Sequence, residues 1–463
     1  MAMLTITEKL VSILDDSRVE WGEKLRENYS HIWHMDVPLH GKAICYPETA
    51  TEISEIIKFC HAEELPIVVF GGRTNLVGGT ETTGEEVILS MERMNKIESL
   101  DVLGRTIQVQ AGVILEDIHK TVDEHSLMFP LNFGARGSAQ IGGVIASNAG
   151  GLRVFRFGTT RAQVLGLEMV LADGSIINSL KTITKDNTGL DLKQLFIGTE
   201  GTLGIITRAV LRLIEKPTSR NSAMAIVDDY TQVLNLLKHM EKGLAGTLSG
   251  FELMWPSFYE TATNDATAIR PPLPHGGRYY VLMESLGAES ESDKQRMEDL
   301  LIRAMEEGMV SEGIMAHTQS DLKWFWTIRE NVHAISTQCQ YDQHFDISLP
   351  VTLIGGELES ILTQLKTLRG VHAVYVFGHV ADGNIHLIVD KEDTSDALRL
   401  SINDIVYTPL KDIGGSISAE HGIGIHKKAY LHLSRSEEEL ALMKLMKITL
   451  DPKGILNPGK ILD

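Results

Sequence analysis

Cysteine is scarce in this sequence, and the few cysteines present lie far apart. Cys45, Cys60 and Cys339 are the 3 cysteines in a chain of 463 residues, and no Cys-x-x-Cys pair occurs. This spacing disfavours an iron–sulfur cluster or a thiolate zinc site. We expect reduced thiols in the interior of a protein from a reducing compartment.

The chain also lacks a surplus of basic residues, and it has no long apolar run. The chain has 43 Lys and Arg against 62 Asp and Glu, for a formal net charge of -19. Nucleic acid is therefore not an expected partner, because neutralising phosphates requires a surplus of positive charge. No run of about 18 apolar residues predicts a membrane span. Residues 1–21 lack the pattern of a signal or transit peptide, so we expect a cytoplasmic protein.

The composition that remains is that of a globular protein, with 43% hydrophobic residues. The length indicates two or three domains. Stretches with helical and strand periodicity alternate along the chain, and the composition changes after Pro217. The pattern predicts an α+β fold with a domain boundary near this proline.

Two common nucleotide-binding motifs are absent, namely the Gly-x-x-x-x-Gly-Lys-Ser/Thr loop and a Gly-x-Gly-x-x-Gly that opens a helix after the first strand. Glycine is instead concentrated in three clusters, within residues 71–80, 134–158 and 198–204. Such runs permit positive φ and present backbone N–H groups to an anion. A single pair of glycines would indicate only a tight turn. Three glycine clusters favour a ligand that is held by backbone N–H groups, and the cluster at residues 71–80 suits a diphosphate.

Two short stretches near the C-terminus combine three imidazoles with a carboxylate. Residues 381–384 have the composition of a four-residue hairpin turn between two strands. That register pairs His379 with His386, with Cβ atoms about 4.5–5.5 Å apart. With Glu420 as a third ligand, the set is typical of a catalytic divalent metal, zinc ahead of manganese or iron, although a histidine pair without a metal is commoner. His421 suits a base, because the pKa of histidine is near neutrality.

The glycine clusters and the end of the chain together resemble a known family. Four ordered segments resemble the flavin-binding segments of the vanillyl-alcohol-oxidase-type flavoproteins: the pyrophosphate loop Gly71–Gly79, the second flavin loop Gly142–Gly151, residues 185–206, and the closing segment Leu450–Lys460. The resemblance runs from about residue 47 to the C-terminus. Its closest subgroup is the FAD-dependent D-2-hydroxyacid dehydrogenases, which act on D-2-hydroxyglutarate, D-lactate or glycolate.

The resemblance implies an FAD-binding domain of two α+β subdomains at residues 1–217. A ferredoxin-like substrate domain with the metal site would follow at 218–424, and a segment at 425–463 would pack back on the FAD domain. FAD would be noncovalent, because Arg73, Thr74 and Asn75 stand where many members carry a linking histidine. The positions that match FAD contacts of the family are Gly71, Gly72, Arg73, Thr74, Asn75, Leu76, Gly78, Gly79, Pro130, Gly137, Ser138, Gly142, Gly143, Ser147, Asn148, Gly150, Gly151, Gly158, Glu200, Gly201, Gly204, Ile206 and Asn457.

The resemblance also implies roles for the polar residues near the C-terminus. His379, His386 and Glu420 match the metal ligands of the dehydrogenases, and His421 matches their base. Arg329 matches the arginine that binds the carboxylate of the substrate. The reaction would oxidise a D-2-hydroxy acid to the 2-oxo acid, with FAD as the redox cofactor.

Three positions depart from the pattern of the members that take hydroxyglutarate. Those members place a Thr one helical turn after the arginine, a Lys before the Asp-x-Ser-x-Pro strand, and an Asn two residues after the second metal histidine. This chain has His333, His344 and Ile388 there. On one helix predicted from Asp321 to Cys339, His333 would share the face of Arg329, and a protonated His344 could bind an anion. The differences favour D-lactate, or a longer and partly apolar D-2-hydroxy acid, over D-2-hydroxyglutarate.

The family implies that electrons leave to a quinone or an electron-transfer flavoprotein, and a homodimer is compatible with the chain. Two rival hypotheses belong to other functional classes. A metal-dependent hydrolase would use the His and Glu cluster without redox chemistry, and it would be colourless and take up no FAD. A flavin-binding subunit without catalysis would hold FAD that no substrate bleaches.

Overall fold

A computed structural model describes residues 5–267 and 269–462 of the chain. In these ranges the α-helices are α1 (Ile6–Leu14), α2 (Ala50–Glu63), α3 (Leu115–Asp123), α4 (Ile141–Ala146), α5 (Val154–Phe157), α6 (Thr160–Gln163), α7 (Tyr230–Leu244), α8 (Pro256–Ala262), α9 (Ser290–Glu306), α10 (Gln319–Glu330), α11 (Val332–Ser336), α12 (Ile354–Thr367), α13 (Asp396–Tyr407) and α14 (Glu437–Leu450). Across the same ranges, no helix combines the length and apolar character needed to cross a bilayer.

The strands are β1 (Val19–Glu20), β2 (Ala43–Cys45), β3 (Ile67–Phe70), β4 (Val87–Ser90), β5 (Ile97–Asp101), β6 (Thr106–Gln110), β7 (Leu127–Met128), β8 (Val164–Val170), β9 (Ile176–Ser179), β10 (Ile205–Arg212), β11 (Ile214–Glu215), β12 (Ser219–Val227), β13 (Leu248–Met254), β14 (Tyr279–Gly287), β15 (Glu312–Met315), β16 (Tyr341–Ser348), β17 (Val371–His379) and β18 (Asn384–Lys391). Helices and strands are interspersed along the whole chain, which confirms the α+β class.

The chain divides into two compact units, and neither is a single stretch of sequence. The first unit contains the residues up to Gly151, then Gly158–Lys216, and Glu420 onward. The second contains Leu152–Phe157 and Pro217–Ala419. The second unit ends before the expected residue 424, because the turn that follows Glu420 is bonded to a side chain of the first unit.

The first unit contains two main sheets. In the smaller one, β2, β4 and β3 are parallel, and β1 pairs antiparallel with β2 at the edge. Helix α2 begins at a capping box formed by Thr49 and Glu52 and buries Ile53, Ile56 and Ile57 in the core beside this sheet. This packing fixes β3, the strand that leads into the first glycine loop.

The larger sheet of the first unit is antiparallel, with the strand order β5-β6-β10-β8-β9. Helix α4 buries Ile141 and Ile145 in the same apolar cluster as Ile107 and Leu211 of the sheet. The short strands β7 and β11 form a separate pair. The glycines at the start of α4 are therefore held against a rigid support.

The C-terminal segment returns to the smaller sheet of the first unit. Asp451 follows α14, and its carboxylate accepts hydrogen bonds from the N–H groups of Ile455 at 3.0 Å and Leu456 at 2.8 Å. Leu456 forms a parallel bridge with Ile67, and Asn457 N donates to Ile67 O at 2.7 Å. The closing segment therefore lies beside β3 and next to the first glycine loop.

The second unit is built on a seven-stranded antiparallel sheet with the order β15-β12-β14-β13-β17-β18-β16. One face of the sheet packs on α8, α10 and α11 through a buried cluster that includes Phe258, Phe325 and Phe377. Alternate residues of a strand share a face, so His379 lies on the same face as Phe377. His379 therefore lies on the face of the sheet that the helices cover.

The prediction of a single helix from Asp321 to Cys339 is wrong. The structure has two helices, α10 and α11, because Asn331 leaves the helical region with φ −80° and ψ 50°. The side chain of Asn331 then caps α11 by accepting a hydrogen bond from Ala334 N at 3.3 Å. As a result Arg329 is buried whereas His333 is exposed, and the two do not share a helix face.

Candidate active site

The first glycine loop, between β3 and β4, contacts the segment around Ser138 through backbone atoms. A Cβ atom added to Gly72 would lie 2.0 Å from the carbonyl oxygen of Ser138, where no side chain can be accommodated. A Cβ atom on Gly71 would lie 3.7 Å from the Cα atom of Gly143. The structure therefore brings the first and second predicted flavin loops together, and it does so through their glycines.

Polar side chains inside the first loop fix its shape. Asn75 Oδ1 accepts a hydrogen bond from Gly79 N at 2.8 Å, and Asn75 Nδ2 donates to Thr80 Oγ1 at 2.9 Å. Arg73 has a φ of 55°, and its Nη1 atom donates to Tyr29 O at 2.8 Å. Because these side chains bond to the protein, the backbone N–H groups are the part of the loop suited to a diphosphate.

Free space is found at the second loop, and buried polar groups without partners are found just before that loop and in the closing segment. A Cβ atom on Gly142 would lie 2.7 Å from the Cβ of Ala111, whereas one on Gly143 would meet no atom within 4 Å. In the described part of the chain, the buried Oε1 of Gln140 and Oδ1 of Asn457 have no hydrogen-bond partner. Buried amide oxygens need donors. FAD, which carries hydroxyl and amide donors, fits this set of residues.

Glu200 joins three parts of the first unit. Its N–H donates to Ala146 O at 2.8 Å, and its carbonyl accepts from Asn457 Nδ2 at 2.6 Å. Its carboxylate accepts from the N–H groups of Ile423 at 2.6 Å and Gly424 at 2.8 Å. Burial raises the pKa of Glu200, although these two N–H groups favour its charged form. The side chain of this predicted cofactor residue therefore holds the turn that follows the predicted base.

Glu420 and His421 lie in the first unit, and Glu420 lies against the second loop. A Cβ atom on Gly150 would lie 3.0 Å from Glu420 Oε1, and one on Gly422 would lie 2.6 Å from Glu200 Oε1. Both glycines therefore make room for a carboxylate. Gly422 also has a φ of 87°, which a residue with a side chain rarely adopts.

The other predicted cofactor residues also belong to the first unit, and several have packing roles. A Cβ atom on Gly204 would lie 2.9 Å from the ring of Phe196, and one on Gly151 would lie 2.2 Å from Asn132 O. Ile206 is buried in the apolar cluster of the larger sheet. The remaining positions are Thr74, Leu76, Gly78, Pro130, Gly137, Ser147, Asn148, Gly158 and Gly201. Their contact with FAD stays a prediction.

The two predicted metal histidines lie on one face of the sheet of the second unit, but the predicted register is wrong. His379 pairs with Asn384, and His386 pairs with Phe377. The turn closes one residue earlier than expected, because Gly383 adopts a φ of 86°. The two ring centroids are 5.4 Å apart, and a ring nitrogen of each lies within 4.8 Å of the other. Two imidazoles at this separation can bind one cation.

Glu252, which was not predicted, connects His379 with Arg329. Its Oε1 atom lies 2.6 Å from His379 Nδ1, and its Oε2 atom accepts from Arg329 Nε at 2.7 Å. Burial would raise the pKa of Glu252, but His379 and Arg329 outweigh burial and hold that pKa below its usual value. The guanidinium carbon of Arg329 also lies 4.6 Å from the centre of the Phe377 ring. The predicted carboxylate-binding arginine is thus linked to a predicted metal ligand.

Asp346 has a similar relation to His386. It is fully buried, and its Oδ1 atom lies 3.7 Å from His386 Nδ1 and accepts from Asn384 Nδ2 at 2.8 Å. Its Oδ2 atom accepts from Ala419 N at 3.1 Å. The sequence carried a signal for both acidic residues, since a carboxylate inside an apolar strand must find a partner. The identity of the partner depends on strand register, which the sequence did not reveal.

The three positions that depart from the hydroxyglutarate pattern differ in burial. Ile388 is 1% exposed and belongs to the apolar cluster around Phe377. His344 pairs with Ile388 in the neighbouring strand but is exposed, and its Nε2 atom lies 2.8 Å from Asp342 Oδ2. This hydrogen bond lowers the pKa of Asp342 to about 2. The hydroxyglutarate pattern has three polar groups for a second carboxylate. In their place this chain has one buried apolar side chain, Ile388, and two exposed histidines, His333 and His344.

Two family models match the chain. The model described as FAD linked oxidases, C-terminal domain, matches residues 216–461. The model described as FAD binding domain matches residues 41–179, which include the first and second glycine loops. The flavin-free hydrolase hypothesis is therefore wrong.

Relatives of known activity match nearly the whole chain. The mitochondrial D-2-hydroxyglutarate dehydrogenase of Arabidopsis thaliana is 37% identical, over 97% of this chain and 80% of the relative. The enzyme of the same name from Rattus norvegicus is 38% identical, over 93% of this chain and 80% of the relative. Both names contain the word mitochondrial and contradict our expectation of a cytoplasmic protein.

A solved structure shows the same fold. The crystal structure of p-cresol methylhydroxylase with substrate bound matches with a TM-score of 0.76 at 15% identity, covering 99% of this chain and 96% of that chain. Glycine loops that meet through their backbones, buried amides that need donors, the FAD-domain match and the close relatives all point to one family. The chain belongs to the FAD-dependent D-2-hydroxyacid dehydrogenases, oxidoreductases of the vanillyl-alcohol-oxidase-type flavoprotein family.

Proposed function

We propose that this enzyme oxidises a D-2-hydroxy monocarboxylic acid such as D-lactate to the 2-oxo acid, with FAD and a divalent metal ion. The observation that carries the proposal is a hydrogen-bonded series of side chains, in which Glu252 joins His379 to Arg329, and the ring of His386 lies beside that of His379. This series places imidazoles that can bind a cation near a guanidinium that can bind a carboxylate. A 2-hydroxy acid presents a hydroxyl and a carboxylate on neighbouring carbons, and such a substrate needs both groups.

His379, His386 and Glu420 are the proposed ligands of the metal, with zinc ahead of manganese or iron. Three nitrogen and oxygen donors leave a coordination position open, which suits a catalytic metal. Glu420 follows Ala419 in the chain, and the N–H group of Ala419 is bonded to Asp346. A divalent cation held by these residues would supply Lewis acidity that lowers the pKa of the substrate hydroxyl.

Two further side chains are proposed to act on the substrate, one on its hydroxyl proton and the other on its carboxylate. His421 accepts the hydroxyl proton at a ring nitrogen, which is the role of a general base. Arg329 binds the substrate carboxylate through its terminal amino groups, because its Nε atom is already bonded to Glu252. The glycine loops of the first unit would hold FAD, which would supply an acceptor for the hydride of the substrate carbon.

The FAD is proposed to be noncovalent. Support comes from Arg73, Thr74 and Asn75, which occupy the region where many family members carry a linking histidine. Release of the intact flavin on mild denaturation would test this part. The electron acceptor is proposed to be a quinone or an electron-transfer flavoprotein, which family membership supports. Reoxidation of the reduced enzyme by each acceptor can be followed in a stopped-flow instrument.

The preference for a monocarboxylate rests on Ile388. Its side chain is buried and cannot form a hydrogen bond, so a second carboxylate beside it would lose hydration without compensation. His344, opposite Ile388, is the proposed contact for a polar end of a longer hydroxy acid. The second candidate substrate is D-2-hydroxyglutarate itself, which the names of the relatives favour.

An anaerobic flavin-reduction screen of D- and L-2-hydroxy acids, with and without a chelator, tests the proposal. We expect D-lactate and larger apolar D-acids to bleach the flavin, the L-isomers to be inert, and the chelator to slow reduction until zinc is added back. Strong reduction that survives chelation would remove the metal from the proposal. Faster reduction by D-2-hydroxyglutarate than by every monocarboxylate would establish the second candidate.

A further inference from the structure

Glu252 is a fully buried carboxylate that bonds two side chains with assigned roles. Its relative exposure is 0%, and it pairs directly with His379 across β13 and β17. One oxygen lies 2.6 Å from His379 Nδ1, and the other lies 2.7 Å from Arg329 Nε. All three residues belong to the second unit.

The contact with His379 fixes which ring nitrogen carries hydrogen. An ionised carboxylate can only accept hydrogen bonds, so Nδ1 of His379 must donate to it. The lone pair of the neutral ring then lies on Nε2, the nitrogen that can bind a metal. Carboxylates bonded in this way to ligand histidines orient the ring and raise its basicity.

The contact with Arg329 fixes the guanidinium in the same manner. Glu252 occupies Nε, and Phe377 supports the guanidinium from one face at 4.6 Å. The terminal amino groups are left to form two parallel hydrogen bonds with a substrate carboxylate. One buried side chain therefore sets both the metal-binding atom of His379 and the carboxylate-binding atoms of Arg329.

We propose that Glu252 is a positioning residue that couples metal affinity to binding of the substrate carboxylate. The proposal rests on the proposed function, in which His379 binds the metal and Arg329 the carboxylate. In this role Glu252 acts through His379 and Arg329, the two side chains to which its carboxylate is bonded. Its loss would therefore weaken metal binding and raise KM together, because both partners lose the same support.

Glu284 provides a matched control for a purely structural role. It is 1% exposed, lies on β14 next to β13, and bonds Arg153 at 3.0 Å and Arg220 at 2.6 Å. Gly250, two residues before Glu252, is its partner in register, so both carboxylates lie on the same face of the sheet. Glu284 is bonded to arginines and to Ser249 but to no histidine in the described residues. Neutralising it removes a buried ion pair without touching His379.

The test compares full-length flavin-loaded wild type, Glu252→Gln and Glu284→Gln. Zinc affinity is measured by competition with a chromophoric chelator, KM and kcat with the best hydroxy acid from the screen, and stability by thermal unfolding. We expect the zinc Kd of Glu252→Gln to rise about 10- to 100-fold together with KM. Glu284→Gln should lose stability to a similar extent and keep the zinc Kd of wild type.

The possible outcomes separate this inference from the proposed function. Wild-type zinc affinity in Glu252→Gln would overturn the inference and leave the metal site standing. A wild type that binds no zinc would overturn the proposed metal and, with it, the coupling. If Glu252→Gln does not fold, Glu252→Asp takes its place, because it keeps the charge but shortens the side chain by one methylene. Glu252→Asp must then show both the raised zinc Kd and the raised KM. Wild-type zinc affinity in Glu252→Asp would also overturn the inference.

Discussion

The carboxylate of Glu200 accepts a hydrogen bond from the backbone N–H of Gly424 at 2.8 Å, although the two residues are 224 positions apart in the sequence. The other carboxylate oxygen accepts from Ile423 N at 2.6 Å. The turn that carries the proposed base is therefore bonded to the third glycine cluster of the same unit. The placement of His421 depends on a side chain that need not touch the reactants.

Replacing Glu200 with glutamine should lower kcat more than it changes KM. The new amide NH2 would face a backbone N–H group, so one of the two hydrogen bonds is lost and the turn shifts. Displacing a catalytic group by about 1 Å can cost up to about 100-fold in rate. Steady-state kinetics, with the flavin-to-protein ratio as a check on cofactor loading, measures the effect. Glu81→Gln is the control, since Glu81 is exposed and bonds His426; an unchanged kcat in Glu200→Gln would contradict the prediction.

Gly72→Ala should yield protein with little bound FAD. The added Cβ would collide with Ser138 O and force the two glycine loops apart. Gly134→Ala is a matched control from the same unit, because its Cβ would meet no atom within 4 Å. The ratio of flavin to protein absorbance after purification reports the result. Equal loading of the two variants would show that the contact of the loops is not needed for FAD binding.

Ile388→Asn combined with His344→Lys should move the specificity towards D-2-hydroxyglutarate. The two changes restore polar groups for a second carboxylate, and we expect the ratio of kcat/KM for D-2-hydroxyglutarate to that for D-lactate to rise about 10-fold, equivalent to about 1.4 kcal/mol. The buried amide will destabilise the fold by about 1–3 kcal/mol when no substrate is bound. Ile388→Ala removes volume without adding a hydrogen bond and should not raise the ratio. If it raises the ratio as much as the double variant, space rather than polarity decides specificity.

Lys447→Met should destabilise the protein by about 3–5 kcal/mol, because it leaves a buried carboxylate without its cation. Lys447 Nζ bonds Asp451, Thr202 O at 2.9 Å and Leu456 O at 2.8 Å. The Asp451 side chain is 0% exposed. Denaturant unfolding measures the loss, and Lys444→Met, one turn earlier on the exposed side of α14, should change stability little. Similar unfolding midpoints for the two variants would show that the ion pair contributes nothing.

The elements with strong local signals were predictable from sequence. Helix α14 has such signals at both ends, because Ser436 caps its start, acidic residues fill its first turn and Asp451-Pro452 follows its last residue. The break at Asn331 was missed, since asparagine lowers helix propensity by only a fraction of a kcal/mol and the apolar pattern continues through it. A cap that forms only when the chain turns cannot be distinguished in the sequence from an ordinary helical residue.

The candidate site was predictable in its residue types but not in its contacts. His379 and Arg329 could be singled out, yet their link through Glu252 joins residues 127 and 77 positions apart. Such a link depends on the register between β13 and β17, two strands that are distant in the sequence and joined by no turn whose residues could fix it. The sequence therefore indicated which chemistry is present, while the pairing of the side chains required the folded sheet.

The return of the C-terminal segment has a consequence for how the chain is made. Asn457 Nδ2 donates to Gly79 O at 3.4 Å, across 378 positions of sequence, and Leu456 bridges Ile67. Closing a loop of that length delays folding, because Ile67 must wait for a partner that is synthesised several hundred residues later. The seven strands of the sheet in the second unit all lie before this closing segment in the chain, so that sheet can form first. A newly synthesised chain would therefore assemble its histidine-bearing sheet before the closing segment completes the sheet that carries the first glycine loop.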